Sequence, residues 1–124
     1  MTGKTALLLV NTGSPEAPTS EALAPYLNEF LSDRHIVDLP PWLWKPILSR
    51  IIIPRRKDAS AKRYAAIWTD EGSPLLATTK KTAEGLQSIL GDDCFVSWAM
   101  CYGTPSVSEV LKTILAADPE RLLV

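Results

Sequence analysis

Arg55 and Arg56 follow directly on an apolar stretch, and Tyr64 lies eight residues beyond Arg56, about 12 Å along a helix and roughly on the same side. A guanidinium binds carboxylates through charge-assisted hydrogen bonds, and a phenol adds a further donor. The stretch before them holds Trp42, Leu43, Trp44, Ile47, Leu48, Ile51, Ile52 and Ile53, with Lys45 and Arg50 between. An apolar surface with basic edges suits the mouth of a pocket for a flat apolar ligand carrying carboxylates, or a membrane interface; an internal core helix is the plain alternative. Charge points to the same place. Lys45, Arg50, Arg55, Arg56, Lys57, Lys62 and Arg63 against the single acid Asp58 give +6 within 19 residues, so the chain's net −1 leaves −7 on the other 105. A basic, Trp-bearing stretch in an otherwise acidic chain indicates an anionic partner there, whether carboxylate, phosphate or lipid surface, or else a solvated helix face.

Other chemistry-bearing residues form no reaction centre. His35 is the only histidine and follows Arg34 in a loop-like stretch. Cys94 and Cys101 lie seven residues apart in one expected strand, roughly 23 Å from each other and on opposite faces, so they cannot bridge. No three of these residues have usable metal-ligand spacing, and no metal site or catalytic residue is assigned. No serine sits in a nucleophile elbow, and Asp70-Glu71 and Asp92-Asp93 read as solvated loop ends. Gly13 and Gly103 resemble turns that hold anions on helix N-termini, but neither a G-x-G-x-x-G nor a P-loop pattern accompanies them.

The elements that position these residues follow from periodicity. Ala6 to Asn11 is an aliphatic run ending at Gly13-Ser14-Pro15, as a fully buried parallel strand would. Thr19 and Ser20 cap a helix to about Ser32, with Leu23, Leu27, Phe30 and Leu31 as its stripe. Ile47 to Ile53 reads as a short amphipathic helix ended by Pro54, and Lys57 to Trp68 as another, with Ala61, Tyr64, Ala65 and Trp68 along one side. Ser73-Pro74 opens a helix whose stripe is Leu76, Thr79, Ala83, Leu86 and Leu90, and Gly91 ends it. Cys94 to Tyr102 reads as a strand stopped by Gly103-Thr104-Pro105; Val107, Val110, Leu111, Ile114 and Leu115 follow with helical spacing. Arg121 to Val124 opens a third strand. Alternating strands and helices imply an α/β fold with a parallel sheet and its site at the strands' carboxyl ends. With 124 residues, 46% hydrophobic and 22% charged, the chain is at most one ordinary domain and not a disordered one. The longest early apolar run, Ala6 to Val10, is too short for a signal peptide or a membrane span, so a cytoplasmic protein is expected. Stopping partway into a buried strand is what a truncated chain would do, and truncation is expected here.

Over essentially its whole length the sequence resembles the ferrochelatases. Leu7-Leu8-Leu9-Val10-Asn11-Thr12-Gly13-Ser14-Pro15 looks like that family's opening. Phe30-Leu31-Ser32-Asp33, Ile53-Pro54-Arg55-Arg56, Tyr64, Ile67-Trp68, Glu71-Gly72-Ser73-Pro74-Leu75 and Tyr102-Gly103-Thr104-Pro105-Ser106 follow in the family's order and spacing. The resemblance implies a three-layer, flavodoxin-like chelatase sheet, residues 1–124 being the N-terminal part of its first lobe, with the second lobe absent. It implies a lyase of haem biosynthesis inserting Fe²⁺ into protoporphyrin IX or coproporphyrin III, with no cofactor required in this segment. Arg56, Tyr64, Ser73, Thr12 and Tyr102 would bind porphyrin, and Trp42, Leu43, Trp44 and Ile47 would form a lip facing porphyrin and the membrane, peripheral to the inner membrane. Thr12 departs from the bulky residue more usual there, and Cys101 from the arginine many members place before Tyr-Gly. The family's histidine, the glutamate opposite it and the second lobe lie beyond residue 124, so this segment alone is expected to be inactive. No nucleic-acid partner is expected, and an iron–sulfur cluster and the oligomeric state stay open. The alternatives are a flavodoxin-like module holding phosphate or flavin at the Gly13 turn and a peripheral membrane-interaction module.

Overall fold

The computed structural model describes residues 4–124, which divide into two compact units: Ser14–Pro74, and a second in which Leu75–Val124 joins the segment ending at Gly13. The second unit holds the sheet. Strand β1 (Thr5–Gly13) pairs in parallel with β2 (Cys94–Tyr102) and β3 (Arg121–Leu123), in the order β2-β1-β3. An α/β fold with a parallel sheet is therefore confirmed, and the long aliphatic run forms its central strand. Helix α5 (Val107–Ala116) joins β2 to β3 and closes one face, where Ala6, Leu8, Ala99 and Ile114 are buried with Phe95, Val107, Val110 and Leu122 against them. Ser106 caps α5 by accepting from the Glu109 N–H at 3.2 Å. Helix α4 (Pro74–Leu90) starts at its proline, whose missing N–H costs nothing there. Gln87 of α4 then pins the start of β2: its Nε2 donates to the Cys94 carbonyl at 2.9 Å and its Oε1 accepts from the Val96 N–H at 2.8 Å.

β1 is not the fully buried strand that its composition suggests. Ala6 and Leu8 are buried, Leu7 and Leu9 are half-buried, and Val10, Asn11 and Thr12 are exposed. The buried residues alternate because they share the face that packs with α5, and the strand's last third runs beyond that cover. Its end is nevertheless tightly held. Gly13 pairs with Tyr102 at φ +126°, and a Cβ at Gly13 would sit 1.9 Å from the Tyr102 carbonyl oxygen. The chain leaving β2 is tied back by the Met100 N–H to the Pro105 carbonyl at 2.8 Å.

In the Ser14–Pro74 unit, α1 (Ser20–Leu31) begins at Thr19, whose hydroxyl accepts from the Ala22 N–H at 3.2 Å. Leu23 is its fully buried anchor. The expected short helix over Ile47 to Ile53, ended by Pro54, is corrected: α2 (Pro41–Ile47), a π-helical turn over Leu48–Ile52 and α3 (Ile53–Ile67) follow without a break. Proline normally breaks a helix because it lacks the N–H for the bond four residues back. Here the Ile53 N–H reaches five residues back to the Leu48 carbonyl, and Pro54 falls in the first turn of α3, where a proline is tolerated. Leu48 and Ile53 are the buried side chains of this junction.

Gly13→Ala is expected to destabilise the protein by about 2 kcal/mol or more, since the new Cβ meets backbone that cannot yield and the left-handed conformation adds strain. Chemical denaturation checks this; an unchanged midpoint and slope would mean that β1 and β2 do not meet at Gly13 as described.

Candidate functional site

Helix α3 carries the basic stretch. Arg55, Arg56, Lys62 and Arg63 are exposed, whereas Ile53 and Ala61 are buried and Tyr64 is half-buried, so the cations occupy the outer face. Among the described residues none of the seven cations from Lys45 to Arg63 has a carboxylate within ion-pair reach. Asp58, the one acid in the stretch, accepts a hydrogen bond from Ser20 instead. A cationic face with no internal counter-charge is available to an external anion.

Arg56 and Tyr64 share this helix but do not point the same way. Eight residues rotate the side chain by about 80°, whereas the seven between Arg56 and Arg63 leave them about 20° apart. Arg63 is therefore the side chain that accompanies Arg56, and counting at 100° per residue would have found it. Tyr64 turns inward, edge-on to Tyr26 and Trp68 with ring centroids 6.4 Å away in each case, and Tyr26 stacks on Phe30 at 6.1 Å. Ser73 is buried at the end of this unit.

The four residues expected to form a lip divide into two pairs. Trp42 is 78% exposed and Leu43 41% exposed. Trp44 is half-buried, its Nε1 donating to the Leu31 carbonyl at 2.7 Å, and Ile47 is half-buried beside the buried Leu48. An open groove of about 440 Å³ lies between the start of α1 and α3, lined by residues such as Thr19, Asp58 and Lys62; none of the candidate binding residues lines it.

In the sheet-bearing unit, Thr12 and Tyr102 occupy the carboxyl ends of the adjacent strands β1 and β2, Thr12 exposed and Tyr102 half-buried. The Thr12 N–H donates to the side-chain oxygen of Asn11 at 2.8 Å, and the Asn11 amide donates to Thr79 Oγ1 at 3.3 Å. Asn11 and Thr79 were not singled out from the sequence; a polar side chain closing an aliphatic strand run was the available signal. Of the remaining candidates, His35 is exposed and contacts Asp33 at 3.0 Å, and both cysteines are free. Among the described residues no cluster of three or more His, Cys, Asp and Glu can hold a metal ion, and no helix is long and apolar enough to cross a membrane.

Parallel strand ends with adjoining glycine turns define an α/β protein of the class that places ligands at the carboxyl ends of its strands; the helical unit by itself presents the exposed cations of α3. The ferrochelatase family model matches residues 4–124. The ferrochelatase of Xylella fastidiosa (strain M12) is 48% identical over 123 residues, covering 99% of this chain and 38% of that protein. That of Herminiimonas arsenicoxydans is 52% identical over 124 residues, covering 98% and 34% respectively. The chain belongs to the ferrochelatase family, and it spans little more than a third of the length of the curated relatives it matches.

The two tryptophans should separate in a stability measurement. Trp44→Phe strands the Leu31 carbonyl and is expected to cost about 1 kcal/mol, whereas Trp42→Ala at an exposed position should stay within about 0.5 kcal/mol. Equal losses in thermal or urea unfolding would contradict the placement of the two rings.

Proposed function

We propose that this chain supplies the porphyrin-gripping part of a ferrochelatase, a lyase of haem biosynthesis that inserts Fe²⁺ into protoporphyrin IX or coproporphyrin III. The observation that carries the reading is the family match over residues 4–124. In the helical unit Arg56 pairs with a propionate of the ring, while Ser73 and Tyr64, the latter through its aromatic cluster with Tyr26 and Trp68, are that unit's further candidates; in the sheet-bearing unit Thr12 and Tyr102 are the candidate ring contacts. Ferrous iron and porphyrin are the substrates, and no organic cofactor takes part. This chain's residues bind and orient: holding the macrocycle by its carboxylates lets binding energy bend it so that its nitrogens present to the metal. Removal of the ring protons is the work of a base outside the residues named here.

Trp42 and Leu43 belong to a lip that receives the apolar ring at the membrane surface, the protein working in the cytoplasm against the inner membrane. The flavin-binding alternative lacks a phosphate loop in the sequence, and titration with flavin mononucleotide against a porphyrin separates the two.

Arg56→Ala in the complete protein is expected to weaken porphyrin binding about ten- to a hundredfold, the equivalent of roughly 1.5–3 kcal/mol for a lost charge-assisted contact. Fluorescence titration measures it, and an unchanged dissociation constant together with unchanged turnover would remove Arg56 from the site.

A further inference from the structure

Thr12 lies between Asn11 and Gly13, which pair with Met100 and Tyr102 of β2. A chain of three hydrogen bonds reaching outside the sheet adds to that pairing. The Thr12 N–H donates to Asn11 Oδ1 at 2.8 Å, Asn11 Nδ2 donates to Thr79 Oγ1 at 3.3 Å, and the Thr79 hydroxyl donates to the Leu75 carbonyl at 2.7 Å. The polarity of this chain is determined at both ends. A backbone N–H can only donate, so the oxygen of Asn11 faces Thr12; a carbonyl can only accept, so the single proton of Thr79 goes to Leu75 and its oxygen must accept from the Asn11 amide. Asparagine is therefore required at position 11, because it alone among residues of its size offers one acceptor and one donor in this order. Thr79 is buried in α4, which makes it the fixed end of the strut, whereas Thr12 is exposed and is the end being held.

From this geometry we infer that Asn11 and Thr79 are positioning residues for the porphyrin site, holding Thr12 against the ring's place without touching the ring themselves. The inference rests on the reading of Thr12 as a porphyrin-contacting residue. A strut that served only the packing of α4 on the sheet would have no need to engage the N–H of an exposed residue. The Asn11 amide does both.

The test is porphyrin fluorescence titration of the complete protein carrying Thr79→Val, Thr79→Ser, Thr12→Ala and the Thr79→Val, Thr12→Ala pair. Thr79→Val keeps the volume and removes the acceptor; it should weaken binding about three- to tenfold, the range a lost neutral hydrogen bond spans. Thr79→Ser keeps the hydroxyl and should stay within about twofold of the parent. Once Thr12 is alanine, Thr79→Val should add less than about twofold, because the side chain it positioned is gone. If Thr79→Val does not fold, Asn11→Asp carries the same arm: it keeps the Thr12 acceptor, turns a carboxylate oxygen toward Thr79 and should weaken binding to the same degree. A full Thr79→Val loss in the Thr12→Ala background overturns the proposal, since the strut would then act elsewhere. Weakening by Thr12→Ala with none from Thr79→Val also overturns it while leaving Thr12 at the ring. No effect from either substitution removes Thr12 from the porphyrin site and the positioning role with it.

Discussion

At residue 13 the carbonyl oxygen of Tyr102 occupies the space in which any side chain would have to begin, 1.9 Å from an ideal Cβ. That contact requires glycine and lets β1 and β2 stay paired to their last residues. Two parallel strands that end level bring their following turns side by side, and this is where an open α/β sheet places its ligands. The turn after β2 is drawn back by the Met100 N–H to the Pro105 carbonyl and delivers Ser106 to cap α5. The level ends of the two strands therefore depend on one close approach.

The helical unit solves a different problem. Its sequence must pass Pro46 and Pro54 while keeping the apolar side chains from Leu48 to Ile53 packed and the arginines that follow them exposed. A π-helical turn absorbs the second proline by moving one hydrogen bond back a residue, so α2 and α3 remain one continuous helical path. Continuity keeps the phase of α3 set by its buried residues Ile53 and Ala61, and that phase turns Arg55, Arg56, Lys62 and Arg63 outward together. Their mutual repulsion is not relieved by acids of the described residues.

Much of this was legible in the sequence, for identifiable reasons. β2 is found over Cys94–Tyr102 because strand-forming residues meet an unambiguous Gly103-Thr104-Pro105 stop, and α1 and α4 because Thr19 and Ser73-Pro74 are strong start signals. The order of motifs identified the family. Burial along β1 was overestimated because an aliphatic run does not reveal where its covering helix stops. The helix from Pro41 onward was misread because a proline is normally a stop, and a π turn leaves no local signature. Spacing placed Arg56 and Tyr64 on one helix, but only the phase showed that Tyr64 turns into the aromatic cluster with Tyr26 and Trp68. The Asn11 strut was hidden because its partner is 68 residues away.

In the proposed role, the unpaired cations of α3 recognise the carboxylates of an apolar ring. Its most direct test compares a free dicarboxylate porphyrin with the same porphyrin esterified at both carboxylates, each titrated into the complete protein and into its Arg56→Ala form. The parent should prefer the free acid about ten- to a hundredfold, and Arg56→Ala should remove most of this preference while affecting the ester little. Equal affinity of the parent for acid and ester, or a preference undiminished by Arg56→Ala, would contradict it.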